Sequence, residues 1–343
     1  MSLSCPIKFP LLKLPWLCIR CVIQNSDLFD IIYFATISNK TRRIVRSSDY
    51  PSQELDVDTN RSSICMGKGK SWYFVDYKCG YGVPLVLKRN SQPLPTMAIF
   101  VNISSYLHSY TAGDKLDALK MGIEFMIDVF GCTIRNLFLE RIKISKLNKL
   151  GTMSVKKLVI GDGRPVYKNY LNYVLENIKV TDEWVFNARV IPANFSCDPR
   201  IFKCRRLSFP YRKSADWVTL ELLCQFDVSQ LTFRYHRFSV EDIVSYVTHW
   251  FNSENRKLEY LYVFFNYSVS LEDLKIEHFN PMPFCEKRRS RWGLHEPWWK
   301  TDMSSGMDIV RQDGLLATLY AFPTSILFNV WHKRFPDAVC VHK

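Results

Sequence analysis

The chain has 343 residues, 47% hydrophobic and 23% charged, so it can build a sizeable core in two or three units and is not composed like a disordered protein. Its formal net charge of +13 invites an acidic partner. Eleven scattered cysteines without framework spacing argue against a secreted disulfide scaffold, and no apolar run reaches the roughly 20 residues that cross a bilayer.

The first stretch, FPLLKLPWLCIRCVI (9–23), is apolar but is a poor export signal. Lys13 and Arg20 interrupt it, Pro10 and Pro15 break it, and no small-residue cleavage site follows. Pro15 suits the first turn of a helix, where a missing N–H costs nothing, and Ile19, Val22 and Ile23 then share a face. A second helix is expected after Ser26 as its cap, with Leu28, Ile31, Ile32 and Ala35 as its stripe. A third, NKTRRIVRS, follows Ser38. Three helices in about forty residues (8–48) make a thin core, so apolar surface should remain for a partner.

Residues 49–61, DYPSQELDVDTNR, are polar and turn-rich and are expected to be a linker. From 62 to about 108 alternating strand patterns dominate, and a helix from Asp114 to about Phe130, closed by Gly131, completes a segment ending at 133. A repeat of the form apolar-x-x-apolar-x-apolar with central Leu then begins at Ile134, Val155, Cys204, Val228 and Leu258. A looser copy shifted by one residue stands at Val180, Trp184 and Phe186. Successive starts lie 21, 25, 24, 24 and 30 residues apart, a period that suits stacked strand-plus-helix units of the leucine-rich-repeat kind. Helices are expected at 165–178, 219–226 and 239–251, the last with Ser239 and Asp242 at capping-box spacing. After a basic loop, EKRRSRW (286–292), the segment 281–343 should form antiparallel strands that cap the last repeat, with Asp313-Gly314 as a hairpin turn. The fold class is therefore α+β / α/β: a small three-helix block, a β-rich segment, an irregular leucine-rich-repeat-like strand–helix array over 134–280 and a C-terminal antiparallel hairpin. The spacing leaves open whether the array is a solenoid or a single sheet.

Residues 134–213 hold 17 Lys+Arg against 6 Asp+Glu. This stretch is either a solvated face or a docking surface for an acidic or phosphorylated segment, with Lys156, Lys157, Arg164, Arg205 and Arg206 as its candidate contacts. Cys18 and Cys21 form a CxxC without a second pair at zinc spacing. GKGK (67–70) lacks phosphate-loop spacing, and GDGRP (161–165) fits either a tight strand–helix turn or a phosphate contact. KRRSR (287–291) fits a solvated loop, nuclear targeting or a nucleic-acid contact. No catalytic, metal or cofactor signature stands out, so we expect a non-enzymatic protein without cofactors.

FPLLKLPWLCIRCVI…SDLFDIIYFATISNKTRRIVRS resembles a nematode F-box of the type that opens FPLL-x-LP. WVTLELLCQFDVSQLTFRYHRFSVEDIVSYVTHWFNSENRKLEYLYVFF (217–265) is similar to the F-box-associated domain of the second type, here placed at about 205–273. GMDIVRQDGLLATLYAF…FNVWHKRF (306–335) is similar to the ending of that family. The resemblance implies a substrate-recognition subunit of a Skp–cullin–F-box ubiquitin ligase, intracellular and without catalytic residues of its own. It implies that Leu14, Pro15, Ile19, Val22, Ile23, Leu28 and Ile32 face the Skp-type adaptor or support that face. A cullin–RING ligase would be reached through the adaptor, and the C-terminal region would hold an unknown protein target. A basic nucleic-acid-binding protein, or an interaction protein with a decayed F-box, are the alternative readings.

Overall fold

The computed structural model describes residues 11–332 except positions 68, 77–83, 86–87, 90–91, 94–96, 102–105, 112, 141–143, 212, 235–236 and 297–298. Phe9 and Pro10 of the opening motif, Lys68 of GKGK and the last residues of the C-terminal motif lie outside the described residues. The chain divides into two compact units, Met1–Phe138 with Ser145–Gly151 and Leu139–Ile144 with Thr152–Lys343.

The first unit opens with α1 (Trp16–Asn25), α2 (Leu28–Ile37) and α3 (Asn39–Ser47). Asp27, not Ser26, caps α2, accepting a hydrogen bond from the Phe29 N–H at 2.8 Å. Its carboxylate also pairs with Lys70, an advantage a serine hydroxyl lacks, and Ser26 instead closes α1. Ser38 and Thr41 form a reciprocal capping box at the start of α3. The expected linker contains a strand. β1 (Glu54–Asp58) buries Leu55 and Val57 and pairs with β2 (Ser63–Met66). The polar letters of ELDVD hide a two-residue alternation whose apolar positions both point inward. β3 (Lys70–Asp76), β4 (Pro84–Leu85), β5 (Lys88–Arg89), β6 (Gln92–Pro93), β7 (Met97–Val101) and β8 (Tyr106–Thr111) follow, then α4 (Lys115–Phe130) and β9 (Thr133–Leu139). The sheet order here is β9-β1-β2-β3-β8-β7-β4.

The three helices pack against α4 within this unit, through α3. Arg42 lies over the Phe125 ring of α4 at 5.3 Å, and Arg46 pairs with Asp128 at 3.0 Å. Gly122 lies in the middle of α4 for a steric reason. A Cβ there would meet the Phe74 ring at 2.3 Å, and that ring is buried against Trp72. Glycine-to-alanine in a helix ordinarily gains about 1 kcal/mol. Gly122→Ala should instead lose about 1–2 kcal/mol, because overpacking outweighs the propensity gain. A urea midpoint equal to or above that of the wild type would contradict this.

The short helix α5 (Ile144–Leu147) leads to β10 (Met153–Ile160), α6 (Lys168–Asn177), β11 (Ile178–Phe186), β12 (Arg206–Phe209), α7 (Leu220–Gln225), β13 (Gln230–Arg234), α8 (Val240–Phe251) and β14 (Tyr260–Phe264). β15 (Met282–Pro283), β16 (Trp292–Glu296), β17 (Trp299–Asp302), β18 (Met307–Val310), β19 (Leu316–Phe322) and β20 (Ser325–Trp331) complete the second unit. β10 to β14 are mutually parallel, in chain order. β20, β19, β18 and β15 continue the same sheet antiparallel, which closes off the last parallel strand as expected.

The repeat copies stand in register. Leu158, Trp184, Leu207, Leu231 and Leu261 are successive Cα partners. The copy shifted by one residue has a structural cause. Val155 faces Val180 but Lys157 faces Glu183, so β11 carries one extra residue as a bulge. Phe186 stacks on Phe209 at 4.9 Å and Phe209 on Phe233 at 4.7 Å, a ring column on the inner face. α8 covers that face through Trp250, edge-on to Phe328 at 4.9 Å, and its capping box is formed by Ser239 and Asp242.

The Asp313-Gly314 turn joins β18 to β19, with Gly314 at φ +79°. Asp313 accepts hydrogen bonds from the nearly buried Arg311, which also donates to the Trp250 and Asn255 carbonyls. The Arg311 hydrogen bond holds the Asp313 carboxyl well below the usual carboxylate range. A depressed folded value means the pair stabilises the unit above the unfolded pKa of about 4 and that this contribution fades below it. The melting-temperature gap between wild type and Asp313→Asn should therefore narrow as pH falls from 5 to 3. A gap independent of pH would contradict it.

Candidate partner-binding surfaces

On α1, Ile19 and Ile23 point inward at i, i+4, while Leu17, Cys18, Cys21 and Val22 occupy the outward face. Both faces are apolar, so periodicity alone could not say which one the protein itself would cover. Among the residues read as adaptor-facing, Leu14 is half-buried, and Pro15 and Val22 are exposed. Ile19, Ile23, Leu28 and Ile32 are buried and hold the helices together, so they can only support such a face from within. The outward apolar set is Leu12, Trp16, Leu17, Val22, Tyr33 and Ile37. These are six of the thirteen exposed large hydrophobics among the described residues, within 26 positions of the chain. Beside them, Trp16 and Ile44 line a cleft of about 610 Å³ whose rim carries Lys40 and Arg43.

In the second unit the predicted basic face is not a free cationic patch. Lys157 pairs with Glu183 at 2.7 Å, and Arg206 approaches the same carboxylate at 3.7 Å while donating to Gln230 at 2.6 Å. Arg205 pairs with Glu259 at 2.9 Å, and Arg164 lies 3.5 Å from Asp162. Lys156 is exposed. The register places Glu183 directly between Lys157 and Arg206, which lie far from it in sequence.

The remaining motifs are structural. Gly161 (φ +88°) would place a Cβ 3.0 Å from the Ala188 Cα, so GDGRP is the tight turn that lets neighbouring connections pack. Gly67 and Gly69 form the turn between β2 and β3. The KRRSR loop is solvated only in part: Lys287 and Arg291 are exposed, and the other two arginines turn inward. Arg289 is fully buried, donating to Asp308 at 2.5 Å and to the Met303 carbonyl at 2.9 Å. Arg288 reaches Asp308 at 3.3 Å and Arg291 reaches Asp302 at 2.6 Å. Among the described residues no group of three or more His, Cys, Asp or Glu could hold a metal ion, and no helix is long and apolar enough to cross a membrane.

One surface escaped the sequence reading. On the sheet face opposite α8, Tyr262, Phe264, Tyr320 and Phe322 are half-buried neighbours, and Arg234 lies over the Phe264 ring at 5.0 Å. The alternation of β14 and β19 was visible, but only the β14–β20–β19 pairing brings their outer rings together.

Residues 199–263 match the family model described as F-box associated. That span contains β12, α7, β13, α8 and most of β14. A Caenorhabditis elegans protein named uncharacterized protein F59B2.8 is 25% identical over 226 residues, covering 63% of this chain and 48% of its own length. Uncharacterized protein F59B2.9 of the same organism is 28% identical over 135 residues, covering 37% of this chain and 31% of its own. The chain thus spans about half the length of the first relative and about a third of the second. No solved structure gives a significant match.

Proposed function

With an F-box-associated module at 199–263 as the premise, we propose that the chain is the substrate-recognition subunit of a Skp–cullin–F-box ubiquitin ligase. In this reading α1–α3 are an F-box and dock the Skp-type adaptor. The parallel strands β10–β14, read as an irregular leucine-rich-repeat-like array, belong to the region that holds the protein target. The chain carries no ligase chemistry itself. It raises the effective concentration of the target near a charged ubiquitin carrier, in the cytoplasm or nucleus.

The observation that carries this reading is the outward apolar face of the helical block, Leu12, Trp16, Leu17, Val22, Tyr33 and Ile37, in a chain that also bears the module. A stable interface core needs such an uncharged patch. The cationic rim of the Trp16 cleft suits an acidic border on the adaptor. Co-expression with the Skp adaptor tests it. The wild type should co-purify with adaptor, and Leu17→Asp and Val22→Asp should each lose it while melting like the wild type. A wild type that purifies without adaptor overturns the reading.

A further inference from the structure

We propose that the outer sheet face of β13, β14, β20 and β19 docks an extended acidic segment of a protein, with apolar side chains on the aromatic rings and a carboxylate on Arg234. This deepens the proposed function, since the segment would belong to the target. Register defines the platform. Thr232, Tyr262, Leu327 and Tyr320 form one row across the four strands, and Arg234, Phe264, Ser325 and Phe322 form the next. Tyr262 and Phe264 are 4.3 Å apart, Tyr262 and Phe322 5.9 Å, and Tyr320 and Phe322 4.5 Å.

These rings lie on the face that the helices do not cover. The chain itself covers the adjacent part of that face, where Met303 packs against Tyr260 and Leu327 with Tyr262, Tyr320 and Phe322 beside it. A segment of polypeptide is therefore already accommodated on this surface, and the half-buried rings continue the same apolar ground. All four strands are internal to the sheet, so an incoming segment is recognised by side chains rather than by strand addition.

The charge decides the chemistry of the occupant. Arg234 is exposed and has no carboxylate partner among the described residues, and its guanidinium is held over Phe264. It is the cation of the two rows, whose other polar members are Thr232 and Ser325. The cations farther along the face, Lys157 and Arg206, are tied to Glu183. One guanidinium beside four rings fits a carboxylate flanked by apolar side chains. A nucleic-acid strand, with a phosphate at every step, calls for several cations along its path.

Panning a phage-displayed random-peptide library against the full chain tests the assignment. Wild-type selections should enrich Asp or Glu next to apolar residues, and Arg234→Glu should reverse the charge preference to Lys or Arg. A selected peptide should bind Phe264→Ser and Phe322→Ser at least about tenfold more weakly. Arg234 is exposed, so its variant should melt with the wild type and keeps the test independent of folding. Absence of an acidic consensus, or a consensus unmoved by Arg234→Glu, overturns the proposal. So does a labelled oligouridylate that binds the wild type and is lost in the same variants, which would assign the face to nucleic acid. Adaptor co-purification of Arg234→Glu, measured alongside, separates the two readings. Adaptor retained without peptide selection refutes only the docking face, and peptide selection without adaptor refutes only the ligase role.

Discussion

Replacing Asp308 by alanine is expected to destabilise the second unit by about 3–5 kcal/mol. Asp308 and Arg289 are both fully buried, with Arg289 Nε donating to the carboxylate at 2.5 Å. Thr318 Oγ1 donates to the same carboxylate at 2.8 Å, and Arg288 stands 3.3 Å away. The carboxylate is thus the common acceptor for two guanidinium groups and a hydroxyl. Without it the Arg289 charge stays in the interior, between the Phe284 and Trp331 rings, with only carbonyl acceptors. For a unit of this size the loss corresponds to a fall in melting temperature of about 10 °C. The double replacement Asp308→Leu/Arg289→Met should recover much of the loss, because it removes the stranded charge as well as the pair. A melting temperature for Asp308→Ala within a degree or two of the wild type would show that the network does not hold the β18–β19 end together.

The second large effect separates two neighbours on α1. Ile23 is 1% exposed and Leu17 is 70% exposed, although both lie on the same apolar helix. Ile23→Asp removes a core side chain and buries a carboxylate, at a cost of about 4 kcal/mol or more. That is a large part of the stability of a typical domain, so the first unit should be largely unfolded and readily proteolysed. Leu17→Asp should change stability by less than about 0.5 kcal/mol. It nevertheless places a charge in the surface proposed to meet the adaptor. Both variants should fail to co-purify with adaptor, Ile23→Asp by unfolding and Leu17→Asp with an intact melt. Far-UV circular dichroism of the two variants distinguishes the causes. An unchanged adaptor yield for Leu17→Asp would move the docking surface elsewhere.

This distinction was not legible in the sequence. Ile19, Val22 and Ile23 share a helical face by periodicity, but the neighbouring stripe with Leu17 and Cys21 carries no charge either, and a ten-residue helix does not state which stripe its own protein will cover. Caps, turns and strands were more readable because their signals are local. The Ser38 cap, the Ser239 capping box, the Gly131 helix end and the Asp313-Gly314 turn each depend on residues within a few positions of one another. β1 was missed because its two inward residues are embedded among acids that stay toward solvent.

The sequence by itself determined most of the element order, the strand repeat with its central leucines and the match of residues 199–263 to the F-box-associated family model. The tertiary structure decided what those elements present. It placed Glu183 against Lys157 and Arg206, turned Arg288 and Arg289 of the most basic loop inward onto Asp308, and gathered Tyr262, Phe264, Tyr320 and Phe322 around Arg234. The physical reason is range. Helix caps, turns and periodicity are set by neighbours in the chain, whereas charge pairing and surface chemistry depend on residues that only strand register brings within a few ångströms.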